Sequence, residues 1–108
     1  MSGYHQGRRV EWWWMHHLTD NGYECTRAAS SKGVADVIAI KQGQVLLINV
    51  KRTSMPPPHE RRELVRVARL LPGVAVPAIA RGRRLFHITD DGTDPKRVVP
   101  FLIDEVTE

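Results

Sequence analysis

The spacing of hydrophobic and polar positions changes several times along the chain, and each change predicts a different secondary-structure element. From Gly7 to Asn21 the apolar positions recur at intervals of three and four residues, which predicts a helix that ends at Gly22. Shorter apolar or alternating runs, separated by glycine, proline and polar residues, are typical of strands. On these grounds we predict strands over Tyr23–Ala28, Val34–Ile40 and Val45–Lys51, a second helix over Glu60–Leu71, and strands over Val74–Ala80 and Arg84–Ile88.

The order of these elements, α-β-β-β-α-β-β, predicts an α/β fold in which a mixed central sheet is flanked by two helices. The 108 residues are the size of one domain. We expect residues 7–88 to form its core. Residues 89–108 should form a loop followed by an apolar and acidic tail, in which Val98–Val106 could be a helix or a strand that contacts a second copy of the chain. Pro77 is expected to place its strand at a sheet edge, since proline cannot donate a ladder hydrogen bond.

Both predicted helices have one apolar face. In the first helix, Trp13 and Trp14 lie on the apolar stripe, whereas Trp12 points elsewhere and is expected to be exposed or to cover a subunit contact. Residues 1–6, before this helix, are expected to be irregular. The second helix follows a stiff proline connector, Ser54–Pro58. Its predicted inner face contains Leu64, Val67, Ala68 and Leu71, and its outer face, either solvated or along a DNA backbone, contains Arg61, Arg62, Arg66 and Arg69.

The chain is basic, with 16 Lys and Arg against 12 Asp and Glu, a net charge of +4 and a pI near 9.7. Such a balance suits a polyanion, because neutralising phosphates releases counterions, but scattered surface arginines would give the same total. By charge and position, the candidates for contact with a DNA backbone are Arg8, Arg9, Lys32, Arg52, Arg62, Arg81, Arg83 and Arg84.

Three other features of the sequence bear on where in the cell the protein acts. No window approaches the ~18 apolar residues of a membrane span, so we expect no membrane partner. The N-terminus lacks the apolar run and small-residue cleavage site of a signal peptide. Cys25 is the only cysteine, so no intrachain disulfide can form. Together these features predict a cytoplasmic protein.

Three polar side chains interrupt the most apolar part of the chain, Gly33–Thr53. A two-residue turn at Gln42-Gly43 would place Asp36 opposite Asn49, with Cβ atoms roughly 5 Å apart. Because side chains alternate along a strand, Lys51 would project from the same face as Asn49. An acid, an amide and an ammonium would thus converge at one point of an apolar sheet.

This convergence has a structural and a functional explanation. Asp36 and Lys51 could form a buried ion pair satisfied by Asn49, although such pairs often add little net stability. Alternatively, the carboxylate and amide oxygens could hold a hard divalent cation such as Mg2+, with Mn2+ expected to substitute for it. The lysine would then orient or polarise a water that attacks a phosphodiester, or offset charge on the phosphate.

The pattern Asp36 … Asn49-Val50-Lys51 resembles the D…(D/E)xK signature of the PD-(D/E)xK nucleases, which have a restriction-endonuclease-like fold. It more closely resembles the archaeal-type Holliday junction resolvases and their phage relatives. In those proteins a glutamate on the first helix, then an arginine and a serine, precede the signature. This chain offers Glu11, Arg27 and Ser30 in the same order.

The resemblance, which covers residues 7–88, implies metal-dependent cleavage of four-way or branched DNA. Two symmetric nicks need two active sites, so it also implies a homodimer. The enzyme would act in the cytoplasm, or in the host cytoplasm if a phage encodes it. The implied catalytic set is Glu11, Asp36, Asn49, Lys51 and Ser30, the implied metal ligands are Glu11, Asp36 and Asn49, and the further implied contacts to the scissile-strand phosphate are Arg27 and Ser31.

Asn49 departs from this pattern, which has a carboxylate at that position. The amide could be native, with Glu11 and Asp36 supplying enough charge, or a deliberate Asp→Asn inactivation, or the mark of a natural relative that does not cleave. A further possibility is that Glu60 or Glu63 on the second helix supplies the missing acid. We therefore hypothesise that the chain is a structure-selective junction endonuclease whose catalysis is weakened by Asn49. The alternatives are a junction-binding module that does not cleave and another nicking nuclease of the same fold.

Overall fold

The computed structural model describes residues 2–28 and 33–103, with residues 2–8 described through their backbone alone. Within this part the chain forms two α-helices, six strands and one turn of 3-10 helix at Pro95–Arg97. In chain order the helices and strands are α1 (Ser2–Asp20), β1 (Glu24–Arg27), β2 (Val37–Lys41), β3 (Gln44–Lys51), α2 (Pro58–Ala68), β4 (Ala75–Arg81), β5 (Arg84–Ile88) and β6 (Val98–Pro100).

The strands form one mixed sheet in the order β1-β2-β3-β4-β5-β6. β3 and β4 are parallel, whereas the other neighbouring strands pair antiparallel. Because parallel neighbours need a crossover connection, α2 runs between β3 and β4 and packs against the sheet. The predicted α/β fold with a mixed central sheet and two helices is confirmed.

The two helices pack on opposite faces of the sheet. α1 contributes Trp14 to one apolar cluster with Ile48, and α2 contributes Leu64 to a second cluster with Leu47. The four consecutive residues Leu46–Asn49 of β3 are therefore buried whichever face they point to, which explains the near-continuous apolar run in the sequence. The last residue of this run is its polar exception.

α1 starts earlier than predicted. It begins at Ser2 instead of Gly7, so the expectation of an irregular segment at residues 1–6 is wrong for residues 2–6. The apolar stripe starts only at Val10, so periodicity carried no information about the residues before it.

The predictions for the tryptophans of α1 are confirmed. Trp14 is only 2% exposed, and Trp13 packs against the same apolar cluster. Trp12 points away from the core and is 47% exposed. The helical spacing therefore distinguished the core side chains from the exposed one.

α2 starts inside the segment that was predicted to be a connector. Its first residue is Pro58, and proline suits the first turn of a helix because its missing N–H has no partner there in any case. The helix ends at Ala68, before Leu71, which is 51% exposed. The prediction that Leu71 lies on the inner face is therefore wrong, because the helix stops before its position completes another turn.

Arg61 ties α2 to a loop far along the chain. Its side chain is buried and donates hydrogen bonds to the carbonyl oxygens of Gly92 at 2.9 Å, Pro56 at 2.9 Å and Thr93 at 3.3 Å. The prediction of an outer-face position is wrong for this arginine, because three carbonyl groups take the place of water around it. The other arginines of the predicted outer face are exposed, as expected: Arg62, Arg66 and Arg69.

Pro77 lies in an interior strand, so the prediction that it marks a sheet edge is wrong. β4 pairs with β3 on one side and with β5 on the other, but its ladder with β5 starts only at Ala78. At the position of Pro77 no ladder hydrogen bond to β5 is required. Proline, which lacks an N–H, is therefore tolerated at this position inside the sheet.

The C-terminal segment adds to the same sheet. β6 pairs antiparallel with β5, and Phe101 and Ile103 pack against the cluster that contains Trp14. Packed structure thus continues past residue 88, the predicted end of the core, while residues 104–108 of the predicted tail lie outside the described part. Neither helix in that part combines the length and the apolar character needed to cross a membrane.

Candidate active site

The hairpin of β2 and β3 has the predicted register. Its two-residue turn, Gln42-Gly43, has positive φ angles of 45° and 82°, as a type I′ turn requires. Val37 pairs with Ile48. That pair is the last of the ladder, and the N–H of Asp36 also donates to Ile48, so the predicted pairing of Asp36 with Asn49 is not among the ladder pairs. Both residues nevertheless line one cleft.

Asp36 lies directly before β2, so the predicted strand start at Val34 is wrong. The Asp36 backbone N–H donates to the carbonyl oxygen of Ile48 at 2.7 Å, and its Oδ2 accepts the backbone N–H of Val50 at 2.8 Å. A side-chain oxygen thus takes the place of a main-chain acceptor where the ladder ends. This hydrogen bond fixes the carboxyl group beside β3.

Asn49 is buried, with an exposure of 5%, and one contact determines the orientation of its amide. Nδ2 donates to the carbonyl oxygen of Val34 at 2.6 Å. A flipped amide would set Oδ1 against that oxygen, and two acceptors repel, so Oδ1 must point away. In the part of the chain that the structure describes, Oδ1 is buried without a hydrogen-bond partner. Such an acceptor costs about 1–3 kcal/mol, which a bound cation would offset.

Lys51 contacts α2. Its Nζ lies 3.3 Å from Oε1 of Glu60, close enough for an ion pair. The angles do not make a hydrogen bond, and Oε1 is the second buried oxygen without such a partner among the described residues. The ion pair between Lys51 and Asp36 that the structural explanation requires is not among those that the described residues form.

Glu11 reaches the same region from α1. Its Oε1 accepts a hydrogen bond from Nε of Arg27, at the end of β1, over 2.9 Å. Their side chains are 20% and 25% exposed, so solvent still reaches the pair. Arg27, which the resemblance assigned to a phosphate, is therefore engaged with the carboxylate that the resemblance assigned to the metal.

These side chains line one open cleft of about 640 Å³. The cleft brings together four residues of the predicted catalytic set, Glu11, Asp36, Asn49 and Lys51. It also contains residues outside that set, because a short connector forces the start of α2 to return over the end of β3. These additional residues are His59, Glu60 and Glu63. The short connector between β3 and α2 is the feature of the sequence that indicates their position.

Asp36 has a raised pKa. Burial raises the pKa most, and the negative charges of Glu11 and Glu60 raise it further, whereas the hydrogen bond from Val50 and the charge of Lys51 lower it. Asp36 therefore lies among charges of both signs. A cation beside it would favour the ionised carboxylate.

The oxygen donors of the cleft fit a hard divalent cation. Such ions take carboxylate oxygens, amide or carbonyl oxygens and water, and the buried Oδ1 of Asn49 is a donor without another use. Across residues 2–28 and 33–103, no three His, Cys, Asp or Glu side chains form a cluster that could hold a metal. The candidate ligands here are therefore an amide together with carboxylates that line the same cleft.

A basic turn between β4 and β5 is anchored beside the cleft. The Gly82 N–H donates to the carbonyl oxygen of Lys51 at 2.9 Å, and Nε1 of Trp14 donates to that of Gly82 at 2.6 Å. The guanidinium of Arg83 lies over the Trp13 ring, 4.9 Å from its centroid. The turn is therefore held between α1 and the end of β3, with Arg83 against α1.

The predicted DNA-contacting residues divide into three groups. The exposed ones are Arg9, Arg52, Arg62, Arg83 and Arg84, and Arg81 is half-buried. The predicted phosphate contacts Ser30, Ser31 and Lys32, and the side chain of Arg8, lie outside the described residues.

Comparison with known proteins gives two matches of the same kind. Residues 2–88 match the model of the archaeal Holliday junction resolvase family, Hjc. Among solved structures, the chain is similar to Hjc, a Holliday junction resolvase from the archaeal hyperthermophile Archaeoglobus fulgidus. The identity is 26%, the TM-score is 0.58, and 79% of each chain is covered. No curated protein matched. The family match includes every residue named in the cleft.

Proposed function

Because this chain belongs to the archaeal Holliday junction resolvase family, we propose that it cuts four-way DNA junctions as a structure-selective endonuclease, with the cleft around Asp36 as its active site. One observation carries the assignment of the site. Asp36, Asn49 and Lys51 meet where the hairpin ends, and the amide oxygen there is buried without a hydrogen-bond partner in the described structure. A purely structural role leaves that oxygen unexplained.

The roles of the residues follow from their positions. Asp36 and Asn49 would hold Mg2+, or Mn2+ in its place, with Glu11 completing the site from α1. The cation, when bound, stabilises charge on the phosphate and lowers the pKa of a coordinated water. Lys51 orients the attacking water, or donates to the phosphate, from the end of β3.

The remaining candidates bind DNA or a second subunit. Arg27 donates its Nε–H to Glu11, and its guanidinium has further N–H groups that can contact a phosphate. Ser30 and Ser31 would contact the same phosphate. The exposed arginines around Arg83 would position the backbone without reading sequence. Paired nicks require a homodimer, for which the exposed side chains of Trp12 and Leu102 are candidate contacts.

A cleavage assay tests the proposal. Four-way junctions, duplexes and single strands are incubated with Mg2+ or Mn2+ and with this chain, Asn49→Asp or Lys51→Ala. We expect paired symmetric nicks only in the junction, faster cutting by Asn49→Asp, and a loss of at least about 100-fold in rate for Lys51→Ala. Lys96→Ala removes the same charge from an exposed side chain in the 3-10 turn and should cut like the parent. A Lys51→Ala variant that cuts as fast as the parent would exclude this lysine from the mechanism.

A junction-binding module that does not cut is the second candidate, and the amide of Asn49 favours it. The amide is matched to the carbonyl of Val34 at 2.6 Å, and a carboxylate in its place would set two acceptors against each other. Tight junction binding without cutting by the parent, Asn49→Asp and Asn49→Glu would support this candidate and exclude the nuclease.

A further inference from the structure

The two oxygen-bearing side chains that the hairpin region contributes to the cleft, Asp36 and Asn49, bring too little charge for a divalent cation. Asp36 supplies one negative charge, and Asn49 is neutral. Glu11 already neutralises Arg27 at 2.9 Å. Affinity for a hard divalent cation depends on the number of charged oxygen ligands, so a second available carboxylate is needed.

Glu60 is held close to this point by the way α2 begins. Six residues, 52–57, connect the end of β3 to the helix, and Glu60 lies in the first helical turn. The next residue, Arg61, fastens the turn to the carbonyl groups of Pro56 and Gly92. An acid in a first turn is also favoured by the helix dipole. The backbone of Glu60 is thus fixed beside the end of β3.

Two buried oxygen atoms of residues that line the cleft accept no hydrogen bond from the described residues. In the part of the chain that the structure describes, the buried side-chain atoms without a hydrogen-bond partner are Oδ1 of Asn49 and Oε1 of Glu60. Both residues line the same cleft as Asp36. A shared cation would satisfy both acceptors at once, whereas the ammonium of Lys51, 3.3 Å from Oε1, contacts only one of them.

Glu63 lines the same cleft and carries the same charge, but its carboxylate is already used. Its Oε1 and Oε2 accept hydrogen bonds from Arg66 at 3.0 Å and 2.6 Å, and its side chain is 41% exposed. The charge of this glutamate is neutralised at the surface. It therefore serves as a control with the same chemistry on the same helix.

We propose that Glu60 is a ligand of the divalent cation and supplies the carboxylate that position 49 lacks. The direct ligands are then Asp36, Asn49 through Oδ1, and Glu60, and Glu11, whose charge is offset by Arg27, borders the site from α1. The ammonium of Lys51 lies beside it. This assignment rests on the proposed function for the identity of the cation, a hard divalent ion such as Mg2+ or Mn2+.

The assignment is tested by measuring Mn2+ binding to the metal-free 108-residue chain by electron paramagnetic resonance, without DNA. Glu60→Gln keeps the shape of the side chain and removes its charge, and should weaken Mn2+ binding by about tenfold or more. Glu63→Gln should change it by less than about twofold. Adding Asn49→Asp to Glu60→Gln should restore the affinity. Melting temperatures without metal show whether each variant is folded.

Removing Glu60 also frees the positive charge of Lys51, which could repel a cation by itself. The comparison is therefore repeated with Lys51→Met as the parent, so that the coupling between the two positions is measured. Glu60→Gln should weaken Mn2+ binding in this background too. If its effect disappears there, or is absent in both backgrounds, Glu60 is only the ion-pair partner of Lys51 and the assignment is wrong.

Junction cleavage by the same preparations separates this assignment from the proposed function. Mn2+ binding that depends on Glu60, without cutting by the parent or by Asn49→Asp, would exclude the nuclease and keep the ligand. Junction cutting by a chain whose Mn2+ affinity does not depend on Glu60 would exclude the ligand and keep the nuclease.

Discussion

Replacing Arg61 with alanine tests how the start of α2 is held over the cleft. The buried guanidinium donates to the carbonyl oxygens of Gly92, Pro56 and Thr93 at 2.9, 2.9 and 3.3 Å. A hydrogen bond to a charged group contributes about 1.5–3 kcal/mol. Counting the two shorter bonds near the lower end of that range gives an expected loss of about 3–4 kcal/mol in the free energy of unfolding. That is a large part of the ~5–15 kcal/mol that stabilises a typical domain.

Urea unfolding followed by tryptophan fluorescence measures this loss, since Trp14 lies in the core. Arg62→Ala is the matched control, because that neighbouring side chain is exposed, and it should change the stability by less than about 0.5 kcal/mol. If Arg61→Ala unfolds within about 1 kcal/mol of the parent, the three hydrogen bonds do not hold the helix and the reasoning is refuted.

Three further changes probe other parts of the fold. Gly92→Ala combines a φ of 94° with a Cβ only 2.7 Å from the carbonyl carbon of Arg61 and should cost about 2–4 kcal/mol in urea unfolding. Gly73→Ala, with a φ of 76° and open space around it, should cost only about 1–2 kcal/mol, and equal losses would contradict the contact. Trp14→Phe removes the hydrogen bond to the carbonyl oxygen of Gly82 and should lower the free energy of unfolding by about 1–2 kcal/mol, which a lower melting temperature would show. The pKa of Asp36 is raised in the folded state, so its ionisation lowers stability as the pH rises above the ordinary value of 3.8, and the loss persists at neutral pH. Asp36→Asn should therefore raise the melting temperature of the metal-free protein at neutral pH but not below pH 3.8, and a rise of equal size at both would contradict the cause.

The hairpin and its polar cluster could be predicted because two local signals agreed. The alternation of side chains set the faces, and the two-residue turn set the register of the strands, so Asp36, Asn49 and Lys51 could be placed in one region from the sequence. Trp14 could be assigned to the core for the same reason, since helical spacing alone decides which face a residue occupies. The resemblance then gave these positions a chemical meaning. The family match supports the family, and the roles of the individual residues stay predictions.

Features decided by distant parts of the chain could not be predicted in this way. Arg61 and Arg62 have the same local pattern, and only the loop at Gly92, 31 residues further along, makes the first of them a buried residue. Pro77 reads as an edge residue until the extent of the ladder with β5 is known. Likewise, Glu60 and Glu63 are equivalent in the sequence, and the contact between Lys51 and Glu60 distinguishes them only in the folded chain.

We propose above that this chain cuts four-way junctions by paired nicks from the cleft around Asp36. A supercoiled plasmid with an extruded cruciform tests it directly, because two nicks made within one binding event give a linear product and a single nick gives an open circle. We expect linear product with Mg2+ for the parent, more of it for Asn49→Asp, and none for Asp36→Asn. Open circles alone, or an intact plasmid with both the parent and Asn49→Asp, would contradict it.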